Sequence, residues 1–240
     1  MADYELPELF TVARERTVPA PGAVHVPDWL DPRRQRELVA QCRAWVRSAP
    51  MRHQVMPGGG RMSVQSVMLG AHGGAYRYGA SGGSQLPRLP DWLVQLGRQA
   101  VADAYGTGGA EAPADPGFHG AHDAARDYLP DSALVNYYDG AAHMGMHQDR
   151  DEFSAAPIVS LSLGDTCVFR LGNTETRTAP YQDVELRSGD LFVFGGPSRY
   201  AFHGVPKVLP GTGGRRLGLR NGGRLNITLR MTGGRGPGAR

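Results

Sequence analysis

Leu134–Tyr138 (LVNYY), Ile158–Leu163 (IVSLSL), Thr166–Leu171 (TCVFRL), Val184–Arg187 (VELR), Leu191–Gly196 (LFVFGG), Arg199–Val205 (RYAFHGV) and Arg224–Met231 (RLNITLRM) are short runs rich in β-branched and aromatic residues. Turn signals separate them, among them Asp139-Gly140, Ser188-Gly189-Asp190 and Gly195-Gly196-Pro197. Short strands at this spacing predict a β-sandwich or barrel over residues 131–232. Upstream the period changes. Asp31-Pro32 followed by RRQRELVAQCRAWV predicts a helix, with an Asp cap, Pro at the first helical position, and Leu38, Cys42, Trp45 and Val46 on one face. A second helix is expected from about Asp91 to Tyr105, where Leu93, Leu96, Ala100, Val101 and Ala104 recur at helical spacing. Between the two helices, residues 51–89 are rich in Gly and Tyr and hold strand-like pieces such as Met62–Met68. Residues 106–123 show no period and predict a mobile loop, whose His119 and His122 receive no role. The tail 233–240, GGRGPGAR, is expected to be disordered. The fold class expected is α+β, mainly β: a helical N-terminal layer over 1–130 packed on the β core of 131–232 as one compact domain.

Composition narrows the function classes. A chain of 240 residues with 40% hydrophobic and 20% charged residues can bury a core without disulfides. Two cysteines, Cys42 and Cys167, are too few for a disulfide scaffold or a thiolate zinc site, and both fit core positions. No apolar run reaches the ~18–20 residues of a membrane helix. The N-terminus MADYELPELF has no basic region of a secretory signal, so a cytoplasmic protein with no membrane partner is expected. Of 26 basic residues all but Lys207 are arginine, the side chain that forks onto carboxylate and phosphate. The net charge of +3 permits a nucleic-acid partner without requiring one.

Two constellations point to chemistry. In His147-Gln148-Asp149 an extended backbone puts imidazole and carboxylate on one side, and His203 lies in a second strand-like run. Two histidines and one carboxylate that leave coordination positions open form the facial triad of non-haem Fe(II) oxygenases. In the last strand Arg224, Asn226, Thr228 and Arg230 alternate with Leu225, Ile227, Leu229 and Met231, so one face is polar and carries two guanidinium forks suited to a dicarboxylate. Asn136 and Tyr138 share a face in the same way. No convincing Ser-His-Asp or Cys-His arrangement accompanies them.

In this order the motifs resemble the AlkB family of Fe(II)- and 2-oxoglutarate-dependent dioxygenases. The residues that carry the likeness are Asn136-Tyr137-Tyr138, His147 to Glu152, Ser198-Arg199 with His203-Gly204, and Arg224-Leu225-Asn226 with Arg230. Upstream, Pro21-Gly22-Ala23-Val24, Met51-Arg52, Pro57-Gly58-Gly59 and Met62-Ser63-Val64 also match, so the likeness runs from about Ala20 to Met231. The resemblance implies a double-stranded β-helix (jelly-roll) core under an N-terminal nucleotide-recognition lid. It implies Fe(II) on His147, Asp149 and His203, and 2-oxoglutarate on Asn136, Tyr138, Arg224, Asn226 and Arg230. Substrate contacts fall on Tyr76, Tyr78 and Asp151. The implied reaction uses O2 and 2-oxoglutarate, gives succinate and CO2, and removes the alkyl group of an N-alkylated base as an aldehyde. The expected substrate is alkylated single-stranded DNA, with RNA as the other nucleic acid, and the expected state is a monomer.

The chain departs from the family at the base-stacking wall. Where members carry a Trp before the Tyr pair, it has His72-Gly73-Gly74-Ala75, and Met56 and Gly60 also differ from residues that relatives use. Base–aromatic stacking is worth ~1–3 kcal/mol per base, so altered substrate binding follows. Arg177 and the run Arg215, Arg216, Arg220 are candidate phosphate contacts. Three other readings stand beside the leading one. An RNA- or tRNA-modifying dioxygenase would share the iron site. A non-catalytic nucleic-acid-binding relative would not need the intact triad, and a small-molecule jelly roll would not need the lid or both arginines.

Overall fold

The computed structural model describes residues 13–55, 59–70, 86–106, 116–150, 154–219 and 221–233. Its strands run in chain order β1 (Thr17–Ala20), β2 (Ala23–Val26), β3 (Arg52–Val55), β4 (Arg61–Gly70), β5 (Ser132–Tyr138), β6 (Met144–His147), β7 (Ile158–Gly164), β8 (Thr166–Leu171), β9 (Gln182–Leu186), β10 (Leu191–Phe194), β11 (His203–Leu209) and β12 (Arg224–Arg230). The helices are α1 (Pro32–Ser48), α2 (Asp91–Tyr105) and α3 (Ala121–Asp127). An antiparallel major sheet is ordered β1-β2-β10-β7-β12-β5-β4-β3, and a minor sheet β6-β11-β8-β9 faces it. This is the double-stranded β-helix.

Strand β12 shows why the alternation matters. It pairs with β5 on one side and β7 on the other, in a register that places Asn226 between Asn136 and Ser162. All seven of its residues are buried. The alternation therefore sorts two interiors rather than an inside from an outside. Leu225, Ile227 and Leu229 join the apolar layer beneath the helices, with Leu38, Trp45, Leu93 and Val101. Arg224, Asn226, Thr228 and Arg230 face the space between the sheets. A second cluster, with Phe169, Phe192, Phe194 and Val205, closes part of that space. Fully burying such a side chain contributes about 1.5–3 kcal/mol, so both layers resist opening.

The helices match their signals. Asp31 caps α1 by accepting the Arg34 N–H at 2.8 Å, with Pro32 at the first position. α2 ends at Gly106, whose φ of 78° suits a residue without Cβ. Close approach of α2 to β12 depends on Gly97, where a methyl would meet Leu229 Cδ1 at 2.9 Å. No helix among the described residues is long and apolar enough to cross a membrane.

Three expectations need correction. The region before residue 131 is not only a helical layer, because β1–β4 extend the major sheet at both edges. Residues 116–123 do not form an irregular loop. Pro116 accepts the Gly22 N–H, Phe118 packs edge-on against Tyr105, and α3 begins at Ala121. Three alanines in a seven-residue helix leave too little apolar periodicity to be read. The run Arg199–Val205 is a strand only from His203, since Gly196–Ser198 is a 3-10 turn and Arg199–Phe202 continue the bend.

Buried acids fix the connections. Asp190 accepts from Arg14 at 2.6 and 2.8 Å, from the backbone N–H groups of Asp28 and Arg187, and pairs with His25 at 2.9 Å. Burial alone would raise its carboxyl, but these partners hold it down at about 2. Asp165 accepts the backbone N–H groups of Gly211, Gly213, Gly214 and Gly223, which shapes the loop before β12.

Candidate active site

Between the sheets lies a cavity of about 700 Å³. β6 and β11 bring two histidines to one end of it, because His147 and His203 are register partners in the minor sheet. Their rings lie 4.4 Å apart, and Asp149, just past β6, closes the group. The Asp149 oxygens are 3.7 Å from Nε2 of His147 and 3.7 Å from Nε2 of His203. All three ligand atoms lie within 4.8 Å of one another.

The surroundings prepare these atoms. Nδ1 of His147 meets Gly145 O at 3.0 Å, and Nδ1 of His203 meets Ala201 O at 3.0 Å. A ring N–H donated to a carbonyl leaves Nε2 as the lone-pair atom, the arrangement that orients metal-bound imidazoles. Burial, then the neighbouring His147, lowers His203 to about 4, so it is neutral near pH 7. For Asp149, burial acts upward, but Arg230 and the two imidazoles outweigh it and hold the carboxyl at about 2. Arg230 Nη2 donates to Asp149 Oδ2 at 2.8 Å, while Oδ1 is buried with no hydrogen-bond partner. A buried anionic oxygen left without a donor, beside two lone-pair nitrogens, fits a divalent cation.

The rest of the cavity wall is a polar ladder. Arg224 donates through Nη2 to Ser162 Oγ at 3.1 Å, and its guanidinium lies 5.1 Å from the Tyr138 ring centroid. Its Nε and Nη1 are buried without a partner. Asn136 Oδ1 accepts from Ser66 Oγ at 2.7 Å. Burial pushes the Tyr138 phenol up to about 12 despite Arg224, so it stays protonated, and its hydroxyl donates to Met144 Sδ at 3.7 Å.

A family model described as the 2OG-Fe(II) oxygenase superfamily matches residues 22–230. An alpha-ketoglutarate-dependent dioxygenase AlkB homolog of Caulobacter vibrioides is 37% identical over 91% of this chain and 91% of its own length. The chain belongs to the AlkB family of 2OG-Fe(II) oxygenases. Another AlkB relative, the DNA N(6)-methyladenine demethylase ALKBH1D of Arabidopsis thaliana, is 32% identical over 96% of this chain and 54% of its own length. The solved structure of OsALKBH1 superposes with a TM-score of 0.71 at 28% identity, covering 90% of this chain and 100% of that one. Membership makes the protein a dioxygenase that uses Fe(II), O2 and 2-oxoglutarate, and His147, Asp149 and His203 are the residues that would hold the iron. When bound, iron and 2-oxoglutarate supply the oxidising power of dioxygen, giving succinate and CO2 as the substrate gains oxygen. The protein's own groups keep Asp149 ionised and His203 neutral, and keep the polar wall aligned.

Of the residues singled out from sequence, the AlkB fold gathers Asn136, Tyr138, His147, Asp149, His203, Arg224, Asn226 and Arg230 around this one cavity. Asn226 differs from expectation in how its amide is used. Nδ2 donates to Ser160 Oγ at 2.7 Å and Leu161 O at 3.2 Å, and Oδ1 accepts from Thr228. Arg177 reaches the cavity rim, with its guanidinium 5.9 Å from the Phe202 ring centroid. Tyr76, Tyr78, His72, Met56, Asp151 and Arg220 lie outside the described residues. Sequence reasoning missed Ser66, Ser160, Ser162 and Gln148. The serines at i and i+2 in IVSLSL repeat the signal of β12 and could have been read as a cavity face. Gln148 lies between the metal ligands and donates to Thr174 O at 3.0 Å and Tyr200 O at 2.5 Å, a tie that no pattern announces.

Proposed function

We propose that this protein removes N-alkyl groups from nucleobases in DNA, preferentially single-stranded, through the oxidation supported by His147, Asp149 and His203. The reading is carried by one observation: Asp149 and Arg224 line the same cavity, and each keeps buried polar atoms without a partner, Oδ1 of the one and Nε and Nη1 of the other. A metal answers the first and a carboxylate the second. Arg230 already touches Asp149, so it serves the co-substrate carboxylate nearer the metal, and Arg224 takes the far one with a bidentate fork. Ser66 holds Asn136 Oδ1, which turns the amide nitrogen of Asn136 toward the co-substrate, and Tyr138 lines the same space. Asn226, with its amide bonded within the sheet, acts as a brace for this face.

The volume of about 700 Å³ suits a small dicarboxylate together with one base taken out of its stack. Extruding a base costs a few kcal/mol in a duplex and least in a single strand, which favours the unpaired substrate. Arg61 and Arg177 on the rim offer charge to the flanking phosphates. Tyr76, Tyr78 and Asp151 are the side chains proposed to contact the base. The state proposed is a monomer.

Replacing Arg224 by Met tests the co-substrate assignment. The 2-oxoglutarate KM, followed by succinate release, should rise about 10–100-fold, the equivalent of one hydrogen-bonded charge contact at ~1.5–3 kcal/mol. Stability should hold or rise, because an underpaired buried charge is replaced by an apolar chain. An unchanged KM would remove Arg224 from the binding set. Substrate class is tested by offering methylated DNA and RNA oligonucleotides of one sequence, single-stranded and paired, and following each base by mass spectrometry. Fastest repair of single-stranded DNA is expected, and faster repair of RNA would move the reading to RNA modification.

A further inference from the structure

The loop between β11 and β12 carries Arg215 and Arg216 in a 3-10 turn, Gly214–Leu217, and both are exposed. The turn is built rather than loose. Asp165 gathers four backbone N–H groups of this loop, and Leu217 and Leu219 pack on the apolar layer under α1. Arg43 of α1 donates to Gly218 O, which joins the helix to the loop. Arg36 and Arg47 are also exposed and share that helix face, seven residues before and four residues after Arg43. They span about 16 Å along the axis at ~1.5 Å per residue.

None of these five arginines makes an ion pair among the described residues. The acids nearby are already engaged, since Glu37 pairs with Arg33 and Arg34, and Asp165 turns inward to the backbone. None of the five lines the catalytic cavity. From this juxtaposition we propose that α1 and the Asp165-braced loop form a second nucleic-acid contact surface, which binds the phosphodiester backbone outside the catalytic cavity. Guanidinium groups on a pre-shaped support fork onto phosphate oxygens, and an arginine row of this length matches successive phosphates on one strand. The inference rests on the nucleic-acid reading for its partner class and extends it to a stretch of strand distant from the reacting base.

The test is salt-dependent binding of an unmodified single-stranded oligonucleotide to the full chain, comparing the wild type with Arg43→Gln/Arg215→Gln/Arg216→Gln. Each phosphate contact contributes ~0.7 to the slope of log affinity against log salt on single strands, so the triple variant should be shallower by about 2. Affinity at low salt should fall at least about tenfold. Turnover on a methylated trinucleotide should not change, while KM on a long oligonucleotide rises. Arg215→Gln/Arg216→Gln spares the Arg43–Gly218 bond and should show about two-thirds of the slope change. A slope unchanged in both variants overturns the proposal, as does wild-type protein that binds anionic lipid vesicles here in preference to DNA. A shallower slope in a protein that demethylates no oligonucleotide supports the surface and overturns only the activity.

Discussion

Asp149→Asn is expected to reduce 2-oxoglutarate-dependent turnover to background while the fold persists. The amide keeps the shape of the carboxylate but loses its negative charge, carried by a buried, unpartnered Oδ1 at 3.7 Å from His147 Nε2 and an Oδ2 at 3.7 Å from His203 Nε2. Iron affinity should fall by more than the ~10–100-fold typical of disturbing a ligand's hydrogen-bond partner. Asp149→Ala is the less clean variant. It also removes the carboxylate from buried Arg230, and breaking one half of a buried pair costs about 3–5 kcal/mol. Iron binding and melting temperature measured together separate the two effects. An Asn variant with wild-type turnover would remove Asp149 from the ligand set.

The largest effect on stability is expected far from the cavity, at Asp190. Its side chain is fully buried and ties Arg14, His25 and two backbone N–H groups around the start of the chain. Asp190→Ala should cost about 3–5 kcal/mol, because the Arg14 guanidinium, the His25 ring and two backbone N–H groups lose their buried acceptor. At ~2–4 °C per kcal/mol for a chain of this size, the melting temperature should fall by roughly 6–20 °C. The pH dependence has a definite sign. The folded carboxyl is held at about 2, below the ordinary value near 3.8. The unfolded state therefore binds more protons in that window, so the stabilisation is complete above about pH 4 and fades as pH falls toward 2. Asp190→Asn should flatten that part of the stability curve. An unaltered acid limb would show that the network contributes little.

The two interior faces of β12 were legible because alternation at period 2 is imposed by the pleat, and both faces turned out to be buried. The triad was legible for a different reason: His147 and Asp149 are local, and His203 stands in a motif of its own. What alternation does not carry is how the amides are used. Asn136 and Asn226 look equivalent in sequence, yet Ser66 turns one toward the cavity while Ser160, Leu161 and Thr228 hold the other within the sheet. That difference depends on which strand pairs beside each asparagine, a long-range fact. The N-terminal strands were under-read for the same reason, since β1 and β2 are four residues each, and the pair joins the sheet through β2 against the distant β10. α3 was hidden by its alanines, and the turn before His203 by an aromatic run that mimics a strand.

The central claim, that one cavity couples 2-oxoglutarate oxidation to repair of a base, is tested most directly by stoichiometry. A single-stranded oligonucleotide with one 1-methyladenine is incubated with the protein, Fe(II), 2-oxoglutarate and ascorbate, omitting each in turn. Restored adenine and succinate are then measured in the same tube by mass spectrometry. One succinate per restored base, with no repair when Fe(II) or 2-oxoglutarate is left out, is the predicted result. Succinate formed at an undiminished rate with the methyl group intact would contradict the proposed substrate, and neither product in the complete mixture would contradict catalysis at this site.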